Sequence, residues 1–240
     1  MAGHSKWSNI KRRKGAVDAK RAKIFTKIGR EIQVAVREGG PDPETNNRLK
    51  DVIAKARANN MPNDNITRSI KRAAGDGSTD RLETIQYEGY GAGGVAFLVN
   101  ALTDNRNRTA ADVRHLFDKY SGNLGTTGCV SFMFQKLGQI FIERDAYPDA
   151  EQVMMDALEA GAEDITEEEE GYVVTTTPDS YHDVLEALEA DYTIASSELG
   201  PVPDNTVEID DPETTALLEK LVDALEDNDD VQDVFHNWDN

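Results

Sequence analysis

Apolar residues recur along this chain in two rhythms, and the change between them divides it. From about Ala19 the spacing is three or four, so that Phe25, Ile28, Ile32 and Ala35 fall on one helical stripe. Gly39-Gly40-Pro41 stops that helix, with glycine at its left-handed end and proline beyond. A second helix is expected from about Glu44, turning Leu49, Val52, Ile53 and Ala56 inward, and Asn59-Asn60-Met61-Pro62 breaks it. Asn63 or Asp64 then caps a third, which carries Ile66, Ile70 and Ala73 and ends at Gly75. Three such stripes are hidden only against one another or a neighbour, which predicts a small helical bundle over residues 19–80. Residues 1–18 show no sustained period. Trp7, Ile10 and Val17 are their only large apolar residues, and the segment reads as an arm with a helical turn near Lys11–Lys14.

Beyond residue 80 the rhythm shortens. Residues 84–103 read as two strands around Gly89-Tyr90-Gly91-Ala92-Gly93-Gly94. That turn matches the G-x-G-x-x-G pattern of dinucleotide sites, but such a site needs a helix to begin there, with its amides toward a pyrophosphate. The β-type run Val95–Val99 follows instead, so a hairpin is expected. Thr103, Asp104 or Asn105 caps a helix with Val113, Leu116 and Phe117 inward, and a glycine-rich loop leads to a strand over Cys129–Gln135. From Gly138 to Val202 the order is strand, helix, hairpin, helix, strand, the split β-α-β or ferredoxin-like unit. A last strand-helix-strand set closes the chain. The fold class expected is α+β multidomain: an N-terminal three-helix bundle plus two α+β domains, one ferredoxin-like and inserted into the other. The domains expected are a basic arm (1–18), the bundle (19–80), an α+β domain from 81–135 and 203–240, and the insert at 136–202. Gln135-Lys136-Leu137 and Pro201-Val202-Pro203 would be paired linkers.

Charge sharpens this division. The chain carries 26 basic and 45 acidic residues, a net −19. Residues 1–80 hold 18 of the basic and 9 of the acidic ones, a net +9, which leaves 8 basic and 36 acidic and a net −28 for the remainder. An acidic bulk repels polyanions, so any phosphate contact must come from the basic end. Ten of its cations lie within the first thirty residues: Lys6, Lys11, Arg12, Arg13, Lys14, Lys20, Arg21, Lys23, Lys27 and Arg30. Single cations on helices are the usual solvated face. Four in succession at Lys11–Lys14 repel one another and build no core, so a polyanion partner is the simplest explanation. Arg106 and Arg108 stand near the start of the fourth helix, where cations oppose the dipole. They join the candidate nucleic-acid-binding set, against pairing with the abundant carboxylates. Trp7 either stacks on a base or packs on the bundle.

Catalytic chemistry is poorly represented. His4, His115, His182 and His236 are scattered without metal spacing, and neither a P-loop nor G-x-S-x-G is present. The single Cys129 allows no intrachain disulfide and reads as a small buried side chain in a strand rather than a nucleophile. Glu167–Glu170 reads as a solvated hairpin tip. No metal, cofactor or small-molecule substrate is expected. No apolar stretch approaches the length of a membrane span, and no apolar segment of a secretory signal follows the basic start. A cytoplasmic protein without a membrane partner is expected.

The chain resembles the YebC/PmpR family, whose mitochondrial relatives include the translational activator of cytochrome c oxidase. The likeness runs through residues 1–32 and 37–75, through YEGYGAGGVAFLVNALTDNRNRT at 87–109 and through GNLGTTGCVSFMF at 122–134. Ala92 stands where the family usually has proline, and Ser121 and Cys129 where glycine and serine are commoner. The resemblance implies a helical N-terminal domain, two α+β domains with one inserted in the other, and no catalytic residues. It further implies a nucleic-acid-binding regulator of gene expression that acts on promoter DNA as a transcriptional regulator. The alternative it carries is a translation factor bound to ribosomal RNA on the ribosome, relieving stalling at sequences such as proline runs.

Overall fold

The computed structural model describes residues 18–75, 82–147 and 149–239. The predicted turn at Lys11–Lys14 and the position of Trp7 lie outside these residues. Helix α1 (Asp18–Gly39), α2 (Asn47–Ala58) and α3 (Asn63–Gly75) form the bundle. Ile28, Ile32, Ala35 and Val36 of α1 meet Leu49, Val52 and Ala56 of α2 and Ile66 of α3, with Met61 closing the core from the break. The stripes read from spacing are therefore the packed faces.

Two helix starts differ from expectation. α2 begins at Asn47 rather than Glu44, because Asn46 is its cap. The Asn46 amide oxygen accepts from the Leu49 N–H at 3.0 Å, while its nitrogen donates to the carbonyls of Ala35 and Gly40, each at 2.8 Å. A Cβ on Gly39 would stand 2.6 Å from the Asn46 side chain, so glycine there is a matter of space as well as chain reversal. In α3, Asn63 and Asp64 lie inside the first turn, and the Pro62 carbonyl accepts from Asn65 and Ile66.

Strand β1 (Glu83–Tyr90) pairs antiparallel with β2 (Ala96–Thr103), Glu83 opposite Thr103 and Tyr90 opposite Ala96. A short 3-10 turn, Ala92–Gly94, joins them, with Gly93 and Gly94 at φ of 68° and 80°, a region that favours glycine. The glycine run is thus a hairpin, as its context predicts. Helix α4 (Arg106–Lys119) is capped by Asn105, which accepts from the Arg108 N–H at 3.1 Å. After it comes β3 (Asn123–Leu124), a two-residue strand on β1 that the apolar pattern does not announce.

The expected strand over Cys129–Gln135 is corrected. Cys129 lies in a bend, Ser131–Met133 form a 3-10 turn, and a single ten-residue strand β4 (Phe134–Glu143) replaces the two strands expected on either side of residues 135–137. Gly138, expected to open a strand, sits inside β4, where there is no room for a side chain. A Cβ there would collide with Thr176 Oγ1 and the Tyr181 ring. Then follow α5 (Ala150–Glu159), β5 (Asp164–Glu167), β6 (Gly171–Thr176), α6 (Tyr181–Asp191) and β7 (Ile194–Pro203). The sheet order β5-β6-β4-β7, with each of these pairs antiparallel, is that of the ferredoxin-like fold. Its core is Ile140, Ile142, Val153, Tyr172, Val174, Val184 and Leu188. The expected linkers are also corrected. Gln135 pairs with Val202 and Lys136 with Pro201, so both are ladder. Prolines are accommodated because β7 is an edge strand.

Last come β8 (Val207–Glu208), α7 (Pro212–Glu226), β9 (Val231–His236) and β10 (Trp238–Asp239). β9 completes the first sheet in the order β3-β1-β2-β9, and β8 pairs with β10 in parallel. Phe97 of β2 meets Phe117 of α4 edge-on at 5.8 Å, beside the buried Leu218 and Leu221 of α7. Residues 18–129 with Asp211–Val234 form one compact unit, and Val130–Asp210 with residues 235–239 form a second.

Candidate nucleic-acid interface

Lys6, Lys11, Arg12, Arg13 and Lys14 lie outside the described residues, and Lys20 and Arg21 are placed only as positions on the first turns of α1. The remaining predicted cations are all seen, and most are already engaged. Lys23, Lys27 and Arg30 share one face of α1, at spacings of four and three. Lys23 donates to the Asp227 carbonyl and pairs with the Asp227 and Asp229 carboxylates at 3.1 and 3.4 Å. Lys27 donates to the Glu226 carbonyl at 2.6 Å, and Arg30 to the Asp229 carbonyl at 2.8 Å. These acceptors are at and just beyond the C-terminal end of α7, where helix carbonyls lack partners and the dipole is negative. The stripe is a cationic cap on that helix.

Electrostatics follow the burial of each group. Burial opposes the charge on Lys23, but the hydrogen bond and charge of Asp227, with Asp229, outweigh it and raise its pKa. At Lys27 burial dominates, helped by the Lys23 charge, and the ammonium is lowered to about 8. Deeper in, Lys55 of α2 bridges Glu31 and Asp233, each at 2.8 Å. Burial works against it, yet the two carboxylates raise it well above an ordinary lysine. Burial also raises Glu31, against the pull of Lys55.

Arg108 pairs with Asp104 at 2.9 Å and with Asp230 at 2.7 Å, the carboxylate pairing weighed against phosphate contact in the sequence. Arg106 is exposed and makes no ion pair among the described residues. A cleft of about 270 Å³ opens here, lined by Arg30, Arg108, Asp112, Asn228, Asp229 and Asp230. Three carboxylates against two guanidiniums make it a poor anion receptor.

Arg106 of α4 aside, the open cations of the helical bundle are ones that the periodicity did not single out. Arg68, Lys71 and Arg72 are exposed on α3, and Lys50 and Arg57 on α2. The signal for the first three was available, since they stand opposite Ile66, Ile70 and Ala73 on the helical wheel. Elsewhere, Cys129 is half-buried in its bend. Burial and the nearby Glu88 raise its thiol, which makes it a poor nucleophile. Arg144 bonds the Glu167 carboxylate and the Glu168 carbonyl, so the expected solvated tip is partly tied down. Among the described residues no cluster of His, Cys, Asp or Glu could hold a metal ion, and no helix is long and apolar enough to cross a membrane.

Fold and charge together define a class: a multidomain α+β protein with a cation-bearing helical domain and a carboxylate-rich remainder. Comparison with known proteins makes it particular. Residues 5–76 match the model of the TACO1/YebC protein N-terminal domain, and residues 82–238 that of the TACO1/YebC second and third domain. The chain belongs to the TACO1/YebC family. Proteins named "Probable transcriptional regulatory protein" from Acetivibrio thermocellus and Finegoldia magna are each 56% identical to it. The matches cover 99% of both chains in the first case and 100% in the second. A crystal structure of a conserved hypothetical protein from Aquifex aeolicus is similar at a TM-score of 0.81 and 45% identity, covering 93% of this chain and 92% of that one.

Proposed function

We propose that this protein is a nucleic-acid-binding regulator of gene expression that acts on DNA as a transcriptional regulator and performs no catalysis. The observation that carries the reading is the separation of charge, net +9 over residues 1–80 against −28 over the rest. Only the basic end can approach a phosphate backbone without repulsion. Lys6, Lys11, Arg12, Arg13, Lys14, Lys20 and Arg21 supply the concentrated charge, and the name carried by the relatives agrees with such a role. Work in the cytoplasm fits the same reading.

A second reading rests on the same cations. Phosphate contacts position a protein but do not specify a sequence, and a basic arm suits folded ribosomal RNA as well as a promoter. Binding to a random-sequence DNA duplex library and co-sedimentation with ribosomes decide between them, for the full chain and a version starting at Ala19. Enrichment of one DNA sequence that survives a rise from about 50 to about 200 mM salt supports the transcriptional regulator. Sequence-blind DNA binding beside tight ribosome association supports the translation factor. Full retention of both by the shortened chain would overturn the role of the arm.

A further inference from the structure

Of the α1 cations that the sequence nominates, Lys23, Lys27 and Arg30 are spent within the protein, whereas another set of cations makes no ion pair among the described residues. Arg68, Lys71 and Arg72 lie within little more than one turn of α3, on the side away from Ile66, Ile70 and Ala73. All three are exposed and form no ion pair among the described residues. Lys50 and Arg57, seven residues apart and so on one side of α2, are also exposed and unpaired among the described residues. By contrast Lys23, Lys27, Arg30, Lys55 and Arg108 each reach a carbonyl or carboxylate of the chain itself.

We infer that the outward face of α3, extended by Lys50 and Arg57 of α2, is a docking surface for the phosphodiester backbone of a nucleic acid. The α1 stripe is instead a clamp that holds the bundle to α7. The inference rests on the proposed nucleic-acid binding and locates it. Arg72 in the last turn complements the helix dipole, but three cations at spacings of three and four, with no ion pair among the described residues, also repel one another. A phosphate backbone removes that cost. Guanidinium groups suit the task, since their planar forks engage phosphate oxygens in pairs. The acidic Asp64 stands a turn earlier, where it complements the positive end of α3.

The test uses the full chain and fluorescein-labelled duplexes of one sequence, as DNA and as RNA, read by anisotropy over a salt series. Arg68→Gln/Lys71→Gln/Arg72→Gln is compared with Arg114→Gln/Lys119→Gln/Lys220→Gln, which removes equal charge from exposed positions on α4 and α7. The α3 variant is expected to bind more weakly and to lose about 0.9 from the slope of log K against log salt for each cation removed. The second variant is expected to keep the wild-type slope. Greater loss on DNA or on RNA identifies which backbone the face accepts. Equal slopes for wild type and the α3 variant, with binding lost in the version starting at Ala19, would overturn the docking face while leaving nucleic-acid binding intact. Equal losses in both triple variants would overturn it in favour of net charge. Failure of the wild type to bind either duplex would remove the underlying reading and the inference with it. Circular dichroism of each variant ensures that a loss of binding is not a loss of fold.

Discussion

Asp230 gathers more donors than any other carboxylate described here. Its side chain is 8% exposed and faces Thr103, Thr109, Arg108 and Arg30 at 3.3, 2.8, 2.7 and 3.2 Å. Burial would raise its pKa, but hydrogen bonds from Arg108 and Thr109 and the two guanidinium charges hold it below the ordinary 3.8. Asp230→Ala takes the carboxylate acceptor from the buried Thr103 hydroxyl and from Arg108, while Thr109 keeps the Asn105 carbonyl, and should lower stability by about 2–3 kcal/mol in urea unfolding. Because the folded pKa is depressed, that stabilisation is complete above pH 3.8 and is lost as pH falls through the folded value. The gap between wild type and variant should close with acid. Lys27 has the opposite sign. Its folded pKa of about 8 lies below the ordinary 10.5, so the unfolded chain binds the proton more tightly between them. The cost of charging it is full below pH 8 and is relieved as pH rises toward 10.5. Wild type should therefore gain stability relative to Lys27→Met over that interval, measured by denaturant unfolding at each pH.

Among the elements, β4 shows where sequence pattern and packing part company. Alternation of apolar residues announces the hairpin of β1 and β2, and the order of strands and helices announces the ferredoxin-like sheet. Both are local or cumulative signals. Gly138 carries no such signal, because its reason lies across the sheet at Thr176 and Tyr181. Gly138→Ala should force those side chains apart, costing about 1–3 kcal/mol, with the loss seen as a lower thermal midpoint. The two-residue β3 and the Asn46 cap escaped for related reasons. One is too short for a period, and the other depends on a side chain folding back onto Ala35 and Gly40. The candidate site was legible as a sum of charge, not as individual roles. Lys23 looks free along the chain because its partner Asp227 lies 204 residues away.

At the scale of the whole molecule, the surplus of carboxylates and the clustered cations are one design rather than two. Glu226, Asp227, Asp229, Asp230 and Asp233 neutralise the cations that secure the bundle, and leave Lys50 and Arg57 of α2 and Arg68, Lys71 and Arg72 of α3 unanswered among the described residues. The paired segments at Gln135–Leu137 and Gly200–Val202 have a historical corollary. Their facing residues lie one strand spacing apart, about 4.8 Å, as the two arms of a tight turn would. The sixty-odd residues between them occupy the place of a hairpin tip. A block of that kind could be gained by an ancestor, or shed by a descendant, by splicing at a single bend, with no need to rethread the surrounding chain.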